Sequence, residues 1–205
     1  METATDLSPL FPLLEEVPEY LRLRQEVASG RGAVSAVAEG AKPFLLAALH
    51  HTLKRPFMVI TPRPEAARAL HDALSAWAAP GTALFLLPEP DALPYERLTS
   101  DPFTVGERLR ALWAILAAHE GGTGPMIVAS AWAAFAVTVP ADRFRSACST
   151  LKRGMRLDLH RMLEGWLRTG YEMEEAVEVP GTMSRRGGIV DVFPPISPYP
   201  FRLEL

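Results

Sequence analysis

The stretch from Phe57 to Leu87, FMVITPRPEAARALHDALSAWAAPGTALFLL, reads as strand, helix, strand. Phe57-Met58-Val59-Ile60-Thr61 is a short apolar run stopped by Pro62, as expected of a buried parallel strand. Glu65 to Ala79 follows as an amphipathic helix, with Ala66, Ala69, Leu70, Ala73, Leu74 and Trp77 on one face. Thr82 to Leu87 is a second strand. Towards the C-terminus, Val105 to His119 reads as another helix that Gly121-Gly122 stops, and Pro125 to Ser130 as a third strand. Towards the N-terminus, Pro43 to Leu53 has proline in its first turn, as helices tolerate. Residues 9–28 carry Leu10, Leu13, Leu14, Val17, Leu21 and Leu23 at roughly helical spacing, interrupted by Pro12 and Pro18. Strands alternating with helices at this spacing predict a parallel sheet with crossover helices, an α/β domain over residues 1–138.

The pattern changes beyond that point. Asp158 caps a helix carrying Leu159, Met162, Leu163, Trp166 and Leu167, which ends at Gly170. Short strands are expected at Ala176–Val179, Gly188–Phe193 and Tyr199–Leu205, separated by Pro180-Gly181 and by Pro194-Pro195 with Pro198. Residues 139–205 therefore read as a small α+β domain with an antiparallel sheet. The sequence stops at Phe201-Arg202-Leu203-Glu204-Leu205, inside an alternating pattern, and so reads as part of something longer.

Composition bounds the function. The chain has 205 residues, 48% hydrophobic and 22% charged, with a mean hydropathy of +0.08, values of a chain that folds around a core. It has no apolar run of the ~18–20 residues a membrane span needs, and no basic, apolar leader, so a cytoplasmic protein is expected. Cys148 is the single cysteine, which excludes internal disulfides and multi-cysteine metal sites. The net charge of −3 does not announce a nucleic-acid binder. It divides into 11 basic and 15 acidic residues over 1–139, against 10 and 9 over 140–205.

A parallel sheet invites a search for phosphate loops. Glu39-Gly40-Ala41-Lys42-Pro43 offers Gly40 and Lys42, but Ala41 separates them and Pro43 stands where the magnesium-binding hydroxyl is needed. Proline brings neither that ligand nor a backbone N–H, so this degenerate nucleotide loop is not expected to bind, and no cofactor is expected. Cys148, near Arg143 and Arg145, reads as a packing residue. His50 and His51 point to different helix faces and make no metal pair, while His71, His119 and His160 are isolated. Glu89, Asp91 and Glu96, set among Pro88, Pro90 and Pro94, form a rigid acidic loop. No catalytic residues are assigned. The chemistry-bearing segment is GTMSRRGGIVDVFPPISPYPFRLEL, residues 181–205. Arg202 and Glu204 alternate with Phe201, Leu203 and Leu205, and so share a face. If the strands adjoin, Arg185 or Arg186 joins them in one charged patch; the alternative is an ordinary solvated face.

Leu87-Pro88-Glu89-Pro90-Asp91-Ala92-Leu93-Pro94-Tyr95-Glu96, followed by Gly106-Glu107-Arg108-Leu109, resembles the N-terminal module of the bacterial transcription-repair coupling factors, the Mfd family. Ser184-Arg185-Arg186-Gly187-Gly188-Ile189-Val190-Asp191-Val192-Phe193-Pro194, continuing to Tyr199-Pro200-Phe201-Arg202-Leu203-Glu204, resembles it too. That module is related to UvrB, which keeps a working phosphate loop and a tyrosine-rich DNA-engaging hairpin. Here the loop is degenerate, and Tyr95 and Phe103 are the aromatics between Tyr95 and Arg108. The resemblance implies a degenerate P-loop-like domain resembling UvrB domain 1a, then a domain resembling UvrB domain 2 that binds UvrA. It places the UvrA contacts at Arg186, Arg202 and Glu204, with Arg185 beside them and, by strand alternation, on the other face. Glu172 stands where some relatives have a basic residue, which alters that end of the patch. RNA polymerase, duplex DNA and an ATP-driven translocase are implied for other parts of the full-length protein. The alternatives are a UvrB-like nucleotide-dependent DNA-binding protein and a nonspecific nucleic-acid-binding module.

Overall fold

The computed structural model describes residues 6–91, 100–118 and 124–205. The chain divides into two compact units, one comprising Met1–Glu89 with Ala114–Ala134, the other Pro90–Trp113 with Phe135–Leu205. Ala92 to Glu96, His119 and the Gly121-Gly122 stop lie outside the described residues.

The first unit holds a three-stranded parallel sheet. Its strands are β1 (Phe57–Thr61), β2 (Leu84–Leu87) and β3 (Met126–Ser130), in the order β1-β3-β2. The expected parallel α/β sheet is present. The central strand β3 is buried along its whole length, as a continuous apolar run covered on both faces must be. β1 differs from the expectation of a fully buried strand. It lies at an edge and alternates, with Met58 and Ile60 about half exposed while Phe57 and Val59 pack inward.

Proline positions decide the N-terminal helices. Pro18 divides the expected 9–28 segment into a 3-10 helix, Ser8–Glu16, which contains Pro12, and the helix α1 (Pro18–Ala28), with Pro18 in its first turn. Helix α2 (Lys42–Leu53) follows a single 3-10 turn at Glu39–Ala41. Helix α3 (Pro64–Trp77) turns Ala67 and Leu74 into the core, with Leu70 and Trp77 packed against it. Of the face expected from the sequence, Leu70, Leu74 and Trp77 pack inward, whereas Ala66 and Ala69 are exposed and Ala67 takes the buried position. The core gathers Phe11, Tyr20, Ala48, Leu49, Leu74, Met126 and Val128, and the Phe44 and Trp77 rings lie 4.8 Å apart. His50 is buried there too. Its Nε2 donates to the Gly124 carbonyl at 2.7 Å, and burial holds the imidazole below the usual histidine range.

Helix α4 (Pro102–Ala117) supplies residues up to Trp113 to the second unit and the remainder to the first. Two short helices, α5 (Ala131–Phe135) and α6 (Ala141–Ala147), lead to α7 (Leu159–Arg168). The Asp158 carboxylate accepts from the Arg161 N–H and caps α7, as the sequence indicated.

The second sheet has four strands, β4 (Glu172–Met173), β5 (Thr182–Arg186), β6 (Ile189–Val192) and β7 (Phe201–Glu204), in sequence order. Two expectations need correction. The sheet is mixed, because β4 runs parallel to β5 while the other pairs are antiparallel. The strand expected at Ala176–Val179 is absent, for the chain turns there and the Val179 carbonyl accepts from the Thr182 N–H and hydroxyl. β5 stands in its place, one residue beyond Pro180-Gly181. Leu163 of α7 packs on Met183, Val190 and Val192, with Trp166 stacked on Tyr171 at 5.6 Å. No helix among the described residues is long and apolar enough to cross a membrane.

Candidate docking face

Alternation along β5, β6 and β7 sorts the second sheet into two faces. The inner face carries Met183, Val190, Val192 and Leu203, which meet α7. By register, the outer face is two cross-strand rows: Arg186, Ile189 and Glu204 in one, Ser184, Asp191 and Arg202 in the next. With strands about 4.8 Å apart, three such side chains span roughly 10 Å on a hydrogen-bonded support. Arg186 and Ile189 flank the two-residue turn Gly187-Gly188, where Gly187 has φ 63°. A positive φ at the first turn position with an ordinary one at the second suits a tight hairpin, and glycine adopts it without strain.

The structure brings Arg186, Arg202 and Glu204 onto one exposed face. It separates Arg185, which pairs with Val190 and so belongs to the inner side. Arg185 is exposed at the hairpin end, where its Nε donates to the Gly187 carbonyl at 3.2 Å. Arg186 donates from Nη2 to the Glu175 carbonyl at 3.2 Å. Glu172 pairs with Thr182 on the edge strand β4, and its register gives it the outer side, two strands away from Asp191.

Arg202 is the most constrained of these groups. Its Nε donates to Asp191 Oδ1 at 2.7 Å and its Nη2 to Oδ2 at 2.8 Å, a bidentate pair across directly opposed residues. Those bonds hold the Asp191 carboxyl below the usual carboxylate range, helped by the positive charges of Arg202 and Arg186. The Arg202 guanidinium is pushed up by the same bonds. The Glu204 carboxylate makes no hydrogen bond or ion pair among the described residues. Reasoning from the sequence missed Asp191 as part of this site. The signal was the alternation Ile189-Val190-Asp191-Val192, which turns Asp191 away from the two valines.

The degenerate loop has a different geometry. Residues 31–38 ahead of it form no strand, so there is no strand-to-helix turn of the P-loop kind. Lys42 is ion-paired with Glu39 across one 3-10 turn. A side chain built at Gly40 would meet nothing within 4 Å, so no close backbone approach requires glycine there. Cys148 is half-buried, and burial raises its thiol pKa, which disfavours the reactive thiolate. Glu89 accepts from the buried Ser130 hydroxyl at 2.5 Å, a bond that ties the segment after β2 to the end of β3.

Residues 150–205 match the family model of the UvrB interaction domain. Among curated proteins, the chain is 30% identical over 194 residues to a transcription-repair-coupling factor of Myxococcus xanthus, covering 92% of this chain and 16% of that protein. It is 28% identical over 197 residues to that of Staphylococcus aureus, covering 96% and 16%. Against the Bacillus subtilis protein it is 24% identical over 172 residues, covering 84% and 14%. The chain thus spans about one sixth of the length of the first two. The resemblance read from the two motifs holds: along nearly its whole length this chain is similar to the N-terminal part of transcription-repair-coupling factors, and residues 150–205 match the UvrB interaction domain model.

Proposed function

We propose that this chain is the UvrA-recruiting module of a cytoplasmic transcription-repair coupling factor, and that the outer face of β5, β6 and β7 is where UvrA docks. The observation that carries this reading is the exposed row structure that sets Arg186, Arg202 and Glu204 together on a supported sheet. Similarity to the UvrB interaction domain over the same residues supports it. The docking domain is residues 139–205, with Arg185 at the margin of the contact and Glu172 at its far end. Residues 1–138, whose described residues form no P-loop turn ahead of α2, bind no nucleotide and carry no catalysis. RNA polymerase, duplex DNA and the ATP-driven translocase belong to the other five sixths of a full-length protein.

The test is equilibrium binding of the purified chain to UvrA. A well-packed interfacial arginine typically contributes ~2 kcal/mol, so Arg186→Ala or Arg202→Glu weakens binding about 30-fold with circular dichroism unchanged. Parent-like binding by the Arg186→Ala/Arg202→Ala double variant overturns the reading. Titration with magnesium-ATP gives no heat of binding; a saturable heat would favour the UvrB-like alternative.

A further inference from the structure

Resting on the docking reading above, we infer that Asp191 is a positioning residue: it holds Arg202 side-on and leaves the far edge of the guanidinium for a carboxylate of UvrA. A guanidinium carries five N–H groups in one plane. Two are committed to Asp191, one from Nε and one from Nη2. What remains is the edge formed by Nη1 and the second Nη2 hydrogen, which is itself a two-pronged donor matched to a carboxylate. The Arg202 side chain is 61% exposed while that of Asp191 is 28% exposed, so the acid is the sheltered half of the pair and the base the presented half. Asp191 sits on β6, a strand paired with β5 on one side and β7 on the other, a firmer anchor than a loop would supply. The cross-strand pair removes rotamer freedom from Arg202 before any partner arrives, which lowers the ordering cost of docking.

The inference separates cleanly from a simple charge effect. If net positive charge alone attracted an acidic partner, removing the Asp191 negative charge would tighten binding and speed association. If Asp191 positions Arg202, the same change weakens binding. The two readings predict opposite signs.

The experiment measures UvrA affinity for the whole 205-residue chain and for Asp191→Asn, Arg202→Ala and the double variant, with melting temperatures alongside. Asp191→Asn removes a charge-assisted bidentate bond without changing size, and the expected result is roughly ten-fold weaker binding. In the Arg202→Ala background the Asp191→Asn change should cost almost nothing further. Parent-like or tighter binding by Asp191→Asn, while Arg202→Ala is weakened, overturns the inference. So does an equal loss in both backgrounds, which would mark Asp191 as merely structural. Arg202→Lys is an independent check, since it keeps the charge and the attraction to Asp191 but has no second planar edge. Its affinity should fall close to that of Arg202→Ala, and a value within about two-fold of the parent overturns the inference. Parent-like binding by Arg202→Ala alone also overturns the inference, since Arg202 would then make no contact for Asp191 to position, whereas the docking reading itself falls only if the Arg186→Ala/Arg202→Ala double variant binds like the parent.

Discussion

Gly106 lies buried in α4, within the Gly106-Glu107-Arg108-Leu109 motif, and its replacement by alanine sets two opposed effects against each other. Helix propensity favours alanine over glycine by about 1 kcal/mol. Against that, a Cβ at Gly106 would sit 2.8 Å from the Pro195 carbonyl oxygen, where ordinary contact begins near 3.4 Å. That oxygen belongs to backbone, in a turn set by Pro194-Pro195 and closed by the Ser197 N–H donating to the Pro194 carbonyl at 3.0 Å. It cannot swing aside as a flexible side chain would. Overpacking of this kind typically costs ~1–3 kcal/mol, so the clash outweighs the propensity gain and Gly106→Ala should be destabilising by about 1 kcal/mol. Gly165 in α7 is the control, because a Cβ there would meet nothing within 4 Å. Gly165→Ala should therefore stabilise by about 0.5–1 kcal/mol. Urea unfolding followed by tryptophan fluorescence reads both signs, since Trp113 lies on α4 and Trp166 on α7. A Gly106→Ala chain as stable as the parent would refute the close approach of α4 to the Pro195 turn.

Three further outcomes follow from the geometry. His50 is held neutral by burial, so its folded pKa lies below its unfolded value near 6.5; its stabilisation is present above that value and is lost as pH falls from about 7 towards the folded pKa. Urea midpoints between pH 7.5 and 5.5 should fall more steeply for the parent than for His50→Gln, and equal slopes would contradict the buried neutral ring. Leu163→Ala empties the contact between α7 and the second sheet and should cost ~2–5 kcal/mol by denaturant titration; a loss under about 1 kcal/mol would mean that α7 does not cover Met183 and Val190. Asp158→Ala removes the α7 cap and should cost ~1 kcal/mol by the same measurement, with no change expected if the Arg161 N–H finds water equally well.

The α/β character of the first unit was legible because the relevant signals are local. The run from Phe57 to Thr61, the periodic stretch after it and Pro43 in a first turn each declare their element without help from distant contacts. Burial was less legible. Met58 and Ile60 are as apolar as Ile127, yet β1 is an edge strand and leaves them half exposed, which depends on the order β1-β3-β2 and not on local sequence. In α3 the alanines gave no contrast, so a face through Ala66 and Ala69 looked as good as one through Ala67. β5 was hidden by its own polarity. Ser184-Arg185-Arg186 reads as loop, although Gly187-Gly188 beside the apolar run from Ile189 is a hairpin signal that asks for a strand on its other side. At the candidate site, alternation paired Arg202 with Glu204 and turned Arg185 away from Arg186, but it took the register of β6 on β7 to add Asp191.

The position of β3 has a consequence for how the chain is made. Among the described residues, β1 and β2 are each paired with β3 and not with each other. During synthesis neither has a strand partner until Met126–Ser130 has emerged, so the first sheet closes late, over long loops, the slow kind of folding step. The second sheet takes its strands in order from residues 172–204, and its β5–β6 hairpin can zip within microseconds. A nascent chain stalled short of residue 126 would hold β1 and β2 as two unpaired apolar strands, the kind of exposed strand edge that favours aggregation.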